Sequence, residues 1–200
     1  ADPEVEFAVP NGRQRIVNAA YRPPNDPFYL TGPAIDATAL TGGPVSGQWY
    51  LRAPTAAAVT VPGDIVSAID IEAAWARTLG APGVVVAVLD TGVRFEHPDL
   101  GRAGSGGSLL PGHDFVADPS IANDGNGRDG DPSDPGDWVS LAEAGRGSFT
   151  GCEEAPSSWH GTGTASLIGA ATNNQLGMAG SAPGVRVLPV RVLGKCYGTD

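Results

Sequence analysis

Val84-Val85-Val86-Ala87-Val88-Leu89-Asp90-Thr91-Gly92-Val93 is apolar for six consecutive positions and then ends on a carboxylate and a glycine turn. A run with no polar alternation predicts a strand over 84–89 that is buried on both faces, as in a parallel sheet covered by helices. Pro82-Gly83 turns the chain into it. Ligand crevices of open parallel sheets lie beyond the carboxyl ends of their strands, which puts Asp90 on the functional edge. Upstream, Asp70 is placed to cap a helix that carries Ile71, Ala74, Trp75 and Leu79 inward until Gly80 stops it. Downstream, residues 185–193 read as a second strand, and Pro189 predicts a local irregularity there because it removes a ladder donor. Between the strands, His160-Gly161-Thr162-Gly163-Thr164-Ala165 opens a small-residue helix whose Gly161, Gly163 and Gly169 suit close packing on the sheet. Strand, helix and strand in this order form a right-handed crossover unit. The expected fold class is α/β, a doubly wound and mostly parallel sheet with helices on both faces. Residues 1–62, broken by runs such as Pro23-Pro24-Asn25-Asp26-Pro27, are expected to form an irregular arm packed on a domain spanning 63–200.

Twelve Lys plus Arg against 22 Asp plus Glu leave a net charge of −10, which repels phosphate backbones and anionic membrane surfaces. Nucleic acid is excluded as a partner. No apolar run approaches the ~18 residues of a membrane span, so no membrane association is expected. The first residues, Ala1-Asp2-Pro3-Glu4, lack the pattern of an export signal, while low charge with 29 Gly and 18 Pro suits an exported chain from which a signal has been removed. Cys152 and Cys196 are the only cysteines; they either pair across 44 residues or stay as two unrelated thiols.

Asp90 and His160 have complementary chemistry. A carboxylate bonded to one ring nitrogen fixes the tautomer, and the other nitrogen then takes a proton from an attacking hydroxyl and returns it to a leaving amine. The positive end of a helix dipole at His160 keeps the ring neutral and available as a base. The nucleophile is not in these residues. Asp90-Thr91-Gly92 also matches the motif of aspartic proteases, but it occurs once, so that reading needs a homodimer and leaves the histidine segment unexplained. His97 and His113 lack zinc-motif spacing and read as loop histidines.

Asp90-Thr91-Gly92, His97-Pro98-Asp99-Leu100 and His160-Gly161-Thr162 together resemble the subtilisin-like serine proteases, and the register continues through Thr172-Asn173-Asn174-Gln175-Leu176-Gly177-Met178-Ala179-Gly180-Ser181-Ala182-Pro183. Within that family the chain is most similar to thermitase-like and Gram-negative extracellular members. The resemblance implies a secreted serine endopeptidase acting on polypeptides, with Asp90 orienting His160 and His160 as general base and acid. It implies that the serine and the oxyanion donor follow Asp200, so the remaining C-terminal part of the catalytic domain is a required partner and a cleaved pro-segment a further one. It places Leu193 beside a distal subsite. Gly163 departs from the family, which has a second histidine there.

Seven aspartates lie between Asp114 and Asp137. Asp124, Asp129 and Asp131, with Asp134 as a further donor, are spaced among glycines in a way that suits one calcium ion. A second calcium is implied by the resemblance alone, held by Asp26, Asp99 and Asn174 with carbonyls near Ala171, Leu176 and Met178. A non-enzymatic calcium-binding or interaction domain that carries idle protease motifs is the alternative from another class.

Overall fold

The computed structural model describes residues 23–30, 47–52 and 68–196. Strand β1 (Val85–Asp90), strand β2 (His113–Asp114) and strand β3 (Arg186–Arg191) form a parallel sheet in the order β1-β3-β2. Val85 aligns with Arg186 and Asp90 with Arg191, while Asp114 meets Arg191 from the other side. The carboxyl edge of the sheet therefore presents Asp90, Arg191 and Asp114 in a row. Four helices accompany it among the described residues: α1 (Pro27–Leu30), α2 (Ile71–Trp75), α3 (Pro119–Ala122) and α4 (His160–Gly169).

The main core lies where α4 packs on the sheet, with Val88, Val187 and Ala165 meeting Val93, Phe95, Leu100 and Leu109. Gly169 allows that approach, because a Cβ there would stand 2.8 Å from Val187 Cγ2. Gly163 faces open space instead, so its small size is not a packing requirement. β1 alternates: Val88 and Asp90 are buried, whereas Val85, Ala87 and Leu89 are exposed, Leu89 at 62%. The expected burial of both faces thus holds on the α4 face alone among the described residues.

The segment after Asp70 also differs from expectation. α2 ends at Trp75, Asp70 takes a left-handed conformation (φ 51°) without a side-chain cap, and Ala74 and Leu79 are exposed. The helix stops because the backbone of residues 79–80 is used elsewhere. Gly184 N donates to the Leu79 carbonyl at 2.8 Å, and Gly80 (φ 94°) lies so close to Val185 that a Cβ would collide with it.

Pro189 sits in an unbroken β3, opposite Val88. Val187 donates to Ser108 on the side away from β1, and the alternate position 189 faces the same way. The donor is missing just ahead of β2, whose ladder begins at His113–Val190, so the proline costs no β1 pairing.

The stretch from 101 to 158, read as a long irregular segment, holds β2, α3 and an antiparallel bridge between Val139 and Ala155. Asp118 caps α3 by accepting from Ser120 N at 2.8 Å, with Pro119 in the first turn. A second core of Val116, Ile121, Ala122, Val139 and Phe149 encloses Cys152, which is disulfide-bonded to Cys196 with a Cα–Cα distance of 6.0 Å. Beside it, hydrogen bonds from Lys195 and Ser140 hold the Glu143 carboxyl down at about 2. Closing a 44-residue loop stabilises by about 4 kcal/mol in the chain-entropy picture. Replacing both cysteines by serine is expected to lower the unfolding free energy by up to that amount, read as an earlier midpoint in urea with a somewhat steeper slope, because the unlinked unfolded chain exposes more surface.

Arm residues Tyr29 and Leu51 share a third cluster with Trp75 and Ala179. Gln48 bonds both backbone groups of Ala179, and Phe28 N donates to the Gly177 carbonyl.

Candidate active site

β1 delivers Asp90 to the sheet edge, and α4 starts with His160 directly opposite. Two glycines set that distance. A Cβ on Gly161 would overlap the Gly92 carbonyl and stand 3.1 Å from Asp90 Cβ, while Gly92 itself has φ 95° and is closed over by the Pro132 carbonyl. Gly161→Ala is therefore expected to push α4 off the end of β1. The check is comparative: its loss of melting temperature should exceed that of Gly163→Ala, which enters open space.

The Asp90 carboxylate is buried and lies 2.8 and 2.9 Å from His160 Nδ1 through its two oxygens. Thr91 N donates to it at 2.7 Å, and Thr164 Oγ1 lies 3.1 Å from Oδ2. With Asp90 ionised, the ring proton sits on Nδ1 and Nε2 carries a lone pair. The His160 side chain is 69% exposed, and no hydroxyl among the described residues meets Nε2. The site therefore has an oriented base with an open second nitrogen. Because Asp90 is committed to an imidazole, the two-carboxylate aspartic arrangement is not the one built here.

Other side chains hold this geometry, and sequence reasoning passed over most of them. Thr164 lies one helical turn from His160, a spacing legible in advance. Asp137 grips Ser158 through two 2.6 Å bonds, and Ser158 Oγ accepts from His160 N at 3.2 Å at the head of α4. Arg191 is buried and donates from Nη1 to Asp114 at 2.5 Å and to Asp124 at 2.7 Å, and from Nη2 to the Ala122 carbonyl. Burial pushes the Asp114 and Asp134 carboxyls above their ordinary range.

The four aspartates assigned to a loop calcium do not share one centre. Asp124 is bound to Arg191. Asp129 accepts from Asp131 N and Asn126 Nδ2, which keep its carboxyl below the usual range. Asp131 accepts from Ser133 N and Oγ, and Asp134 turns inward to Thr91 and Gly136. Among the described residues, no three carboxylates or imidazoles gather to hold an ion. The fixed positive charge of Arg191 already serves part of this acidic loop.

Asp26, Asp99 and Asn174 do meet. Asp26 accepts from Asn173 N at 2.9 Å and Asn174 N at 3.2 Å; Asp99 accepts from Asn174 Nδ2 at 2.7 Å and Met178 N at 3.0 Å. Both carboxylates are buried, and neither has an ion-pair partner among the described residues. Two buried carboxylates beside an amide, with no cationic side chain, make an oxygen-rich donor set that suits a hard cation. His97 Nδ1 accepts from Asp99 N, and His113 packs edge-on against Phe115. On another flank of α4, a cavity of about 630 Å³ is lined by Phe28, Trp159, Gly163 and Met178, among others.

The model of the Subtilase family matches residues 81–200. An extracellular protease of Xanthomonas campestris is 47% identical over 131 residues, 66% of this chain and 21% of that protein. The extracellular basic protease of Dichelobacter nodosus is 45% identical over 63% of this chain and 20% of its own length. Thermitase of Thermoactinomyces vulgaris is 33% identical over 60% of this chain and 29% of its own. A solved protease of Pseudoalteromonas arctica superposes with a TM-score of 0.54 at 50% identity, covering 63% of this chain and 34% of that one. The matched region thus spans about a fifth of the length of the first two relatives.

Proposed function

The chain belongs to the subtilase family, and from that premise we propose that it is the part of a secreted serine endopeptidase that holds Asp90 and His160. The observation that carries this reading is the 2.8 Å contact between the buried Asp90 carboxylate and Nδ1 of an outward-facing His160. Asp90 fixes the tautomer and stabilises the imidazolium. Nε2 takes the proton of a serine hydroxyl as it attacks the substrate carbonyl, then returns it to the departing amine. The serine and the oxyanion donor come from the polypeptide that continues past Asp200. The exposed apolar face of β1, Val85, Ala87 and Leu89, supports a continuing fold packed there. The proposed organisation is an arm of 1–62 packed on a domain from 63 onward; of that arm, residues 23–30 and 47–52 are described and the rest lies outside the described residues.

Extracellular location is supported by the disulfide and by relatives whose names describe extracellular proteases. An export signal and a cleaved pro-segment belong to the same reading. The substrate is an unstructured polypeptide, and the test is its hydrolysis by the polypeptide continued past Asp200. A purified, folded protein that leaves such a substrate intact would favour the idle-motif alternative.

A calcium ion at Asp26, Asp99 and Asn174 completes the proposal. It would fasten the arm to the 173–178 loop and neutralise two buried carboxylates, taking no part in the reaction. An ion at 100 times its Kd stabilises by about 2.7 kcal/mol. Chelation is expected to lower the melting temperature of the protein, and Asp99→Asn to abolish that difference. A melting curve that chelator leaves unchanged would remove the ion.

A further inference from the structure

Asp134 lies 43 positions from Thr91 in an acidic loop, yet it is only 4% exposed and has no cationic partner among the described residues. Its backbone is fixed beside the end of β1. Asp134 N donates to the Val93 carbonyl at 3.0 Å, Val93 N donates to the Pro132 carbonyl at 3.1 Å, and Val93 and Ser133 pair as a parallel bridge. Its carboxylate accepts from Gly136 N at 2.8 Å and from Thr91 Oγ1 at 2.7 Å.

Thr91 joins this carboxylate to the head of α4. Its hydroxyl accepts from Gly161 N at 3.0 Å, one of the first-turn donors that α4 cannot satisfy internally. Its own backbone N–H donates to Asp90 Oδ1. A hydroxyl has one proton. While its lone pair receives Gly161 N–H, that proton needs an acceptor, and Asp134 is the acceptor present. Thr91 is thereby held in the one orientation that ties the residue after the catalytic carboxylate to the residue after the catalytic histidine.

We propose that Asp134 is a positioning residue for the Asp90–His160 pair, acting through the Thr91 hydroxyl to lock the start of α4 against the end of β1. The inference rests on the endopeptidase reading. It assigns to the acidic loop a role in setting the alignment of the base.

The test uses the polypeptide continued past Asp200, with the concentration of competent sites counted by a fluorophosphonate probe so that misfolded protein does not enter the rates. Asp134→Ala and Thr91→Val should each lower kcat per titrated site about 100-fold, the size of effect expected when a reacting group is misplaced by about an ångström. KM should stay within about twofold, and the downfield resonance of the His160 Nδ1 proton should shift or broaden. Thr91→Ser, which keeps the hydroxyl, should restore kcat. The double variant should be no slower than either single one, because both break one linkage. Unchanged kcat per site in Asp134→Ala, or a Thr91→Ser variant as slow as Thr91→Val, would overturn the proposal. If Asp134→Ala yields no folded protein, the Thr91 pair decides alone. An unsubstituted protein that neither binds the probe nor cleaves peptides would overturn the endopeptidase reading and the inference with it, whereas an active one with unaffected variants would overturn the inference only.

Discussion

Replacing His160 by alanine is expected to lower kcat for peptide hydrolysis by about 10⁶-fold, a size taken from subtilisin, where a change of this kind has been measured. The structural reason is that no other described group can substitute. Among the described residues, His160 is the only imidazole held through Nδ1 against a buried carboxylate at the sheet edge, which leaves its other nitrogen facing outward as the base. Without it, the serine hydroxyl keeps its proton at neutral pH and the leaving amine has no donor. The loss corresponds to about 8 kcal/mol of transition-state stabilisation at 1.36 kcal/mol per decade. KM should change little, because the imidazole binds the reacting atoms and not the rest of the chain. Steady-state kinetics on an unstructured peptide, with folding verified by the melting curve, checks it.

Asp90→Asn should cost about 10⁴-fold in kcat. The amide fits the same space, so the fold should survive. What changes is the proton: an amide N–H aimed at Nδ1 makes that nitrogen the acceptor and moves the ring proton to Nε2, where the lone pair is needed. Thr91 N and Thr164 Oγ1, which both bond the carboxylate, hold the side chain in place and leave the amide little freedom to turn. A change in tautomer at unchanged structure predicts a kcat loss with intact melting temperature and KM. A matching loss of stability would mean that Asp90 is structural.

Asp90 and His160 were legible because each owes its place to a local rule: a strand's last residue, a helix's first, and small residues that let the two approach. Their chain order and the flanking motifs supplied the family. The exposed side of β1 was not legible, since an all-apolar run reads as doubly covered whether or not the covering part lies within these residues. α2 was overestimated because the pull of Gly184 and Val185 on residues 79–80 comes from a hundred positions away. The acidic loop misled for the same reason. Oxygen donors at short intervals among glycines look like an ion site, but Arg191, 67 residues from Asp124 in sequence, is buried among them. Asp134 read as a further calcium donor; its partner Thr91 is reached only through the folded backbone. Asp26, Asp99 and Asn174 came through the family resemblance, and the structure brings them to one place.

Asp90 and His160 are proposed to activate a serine from the continuing polypeptide. Mass-spectrometric counting of fluorophosphonate adducts tests it most directly. The protein continued past Asp200 should take up one adduct on a single serine within minutes, and His160→Ala should take up none on that time scale. Equal labelling of the two proteins, or labelling of neither when both are folded, would contradict it.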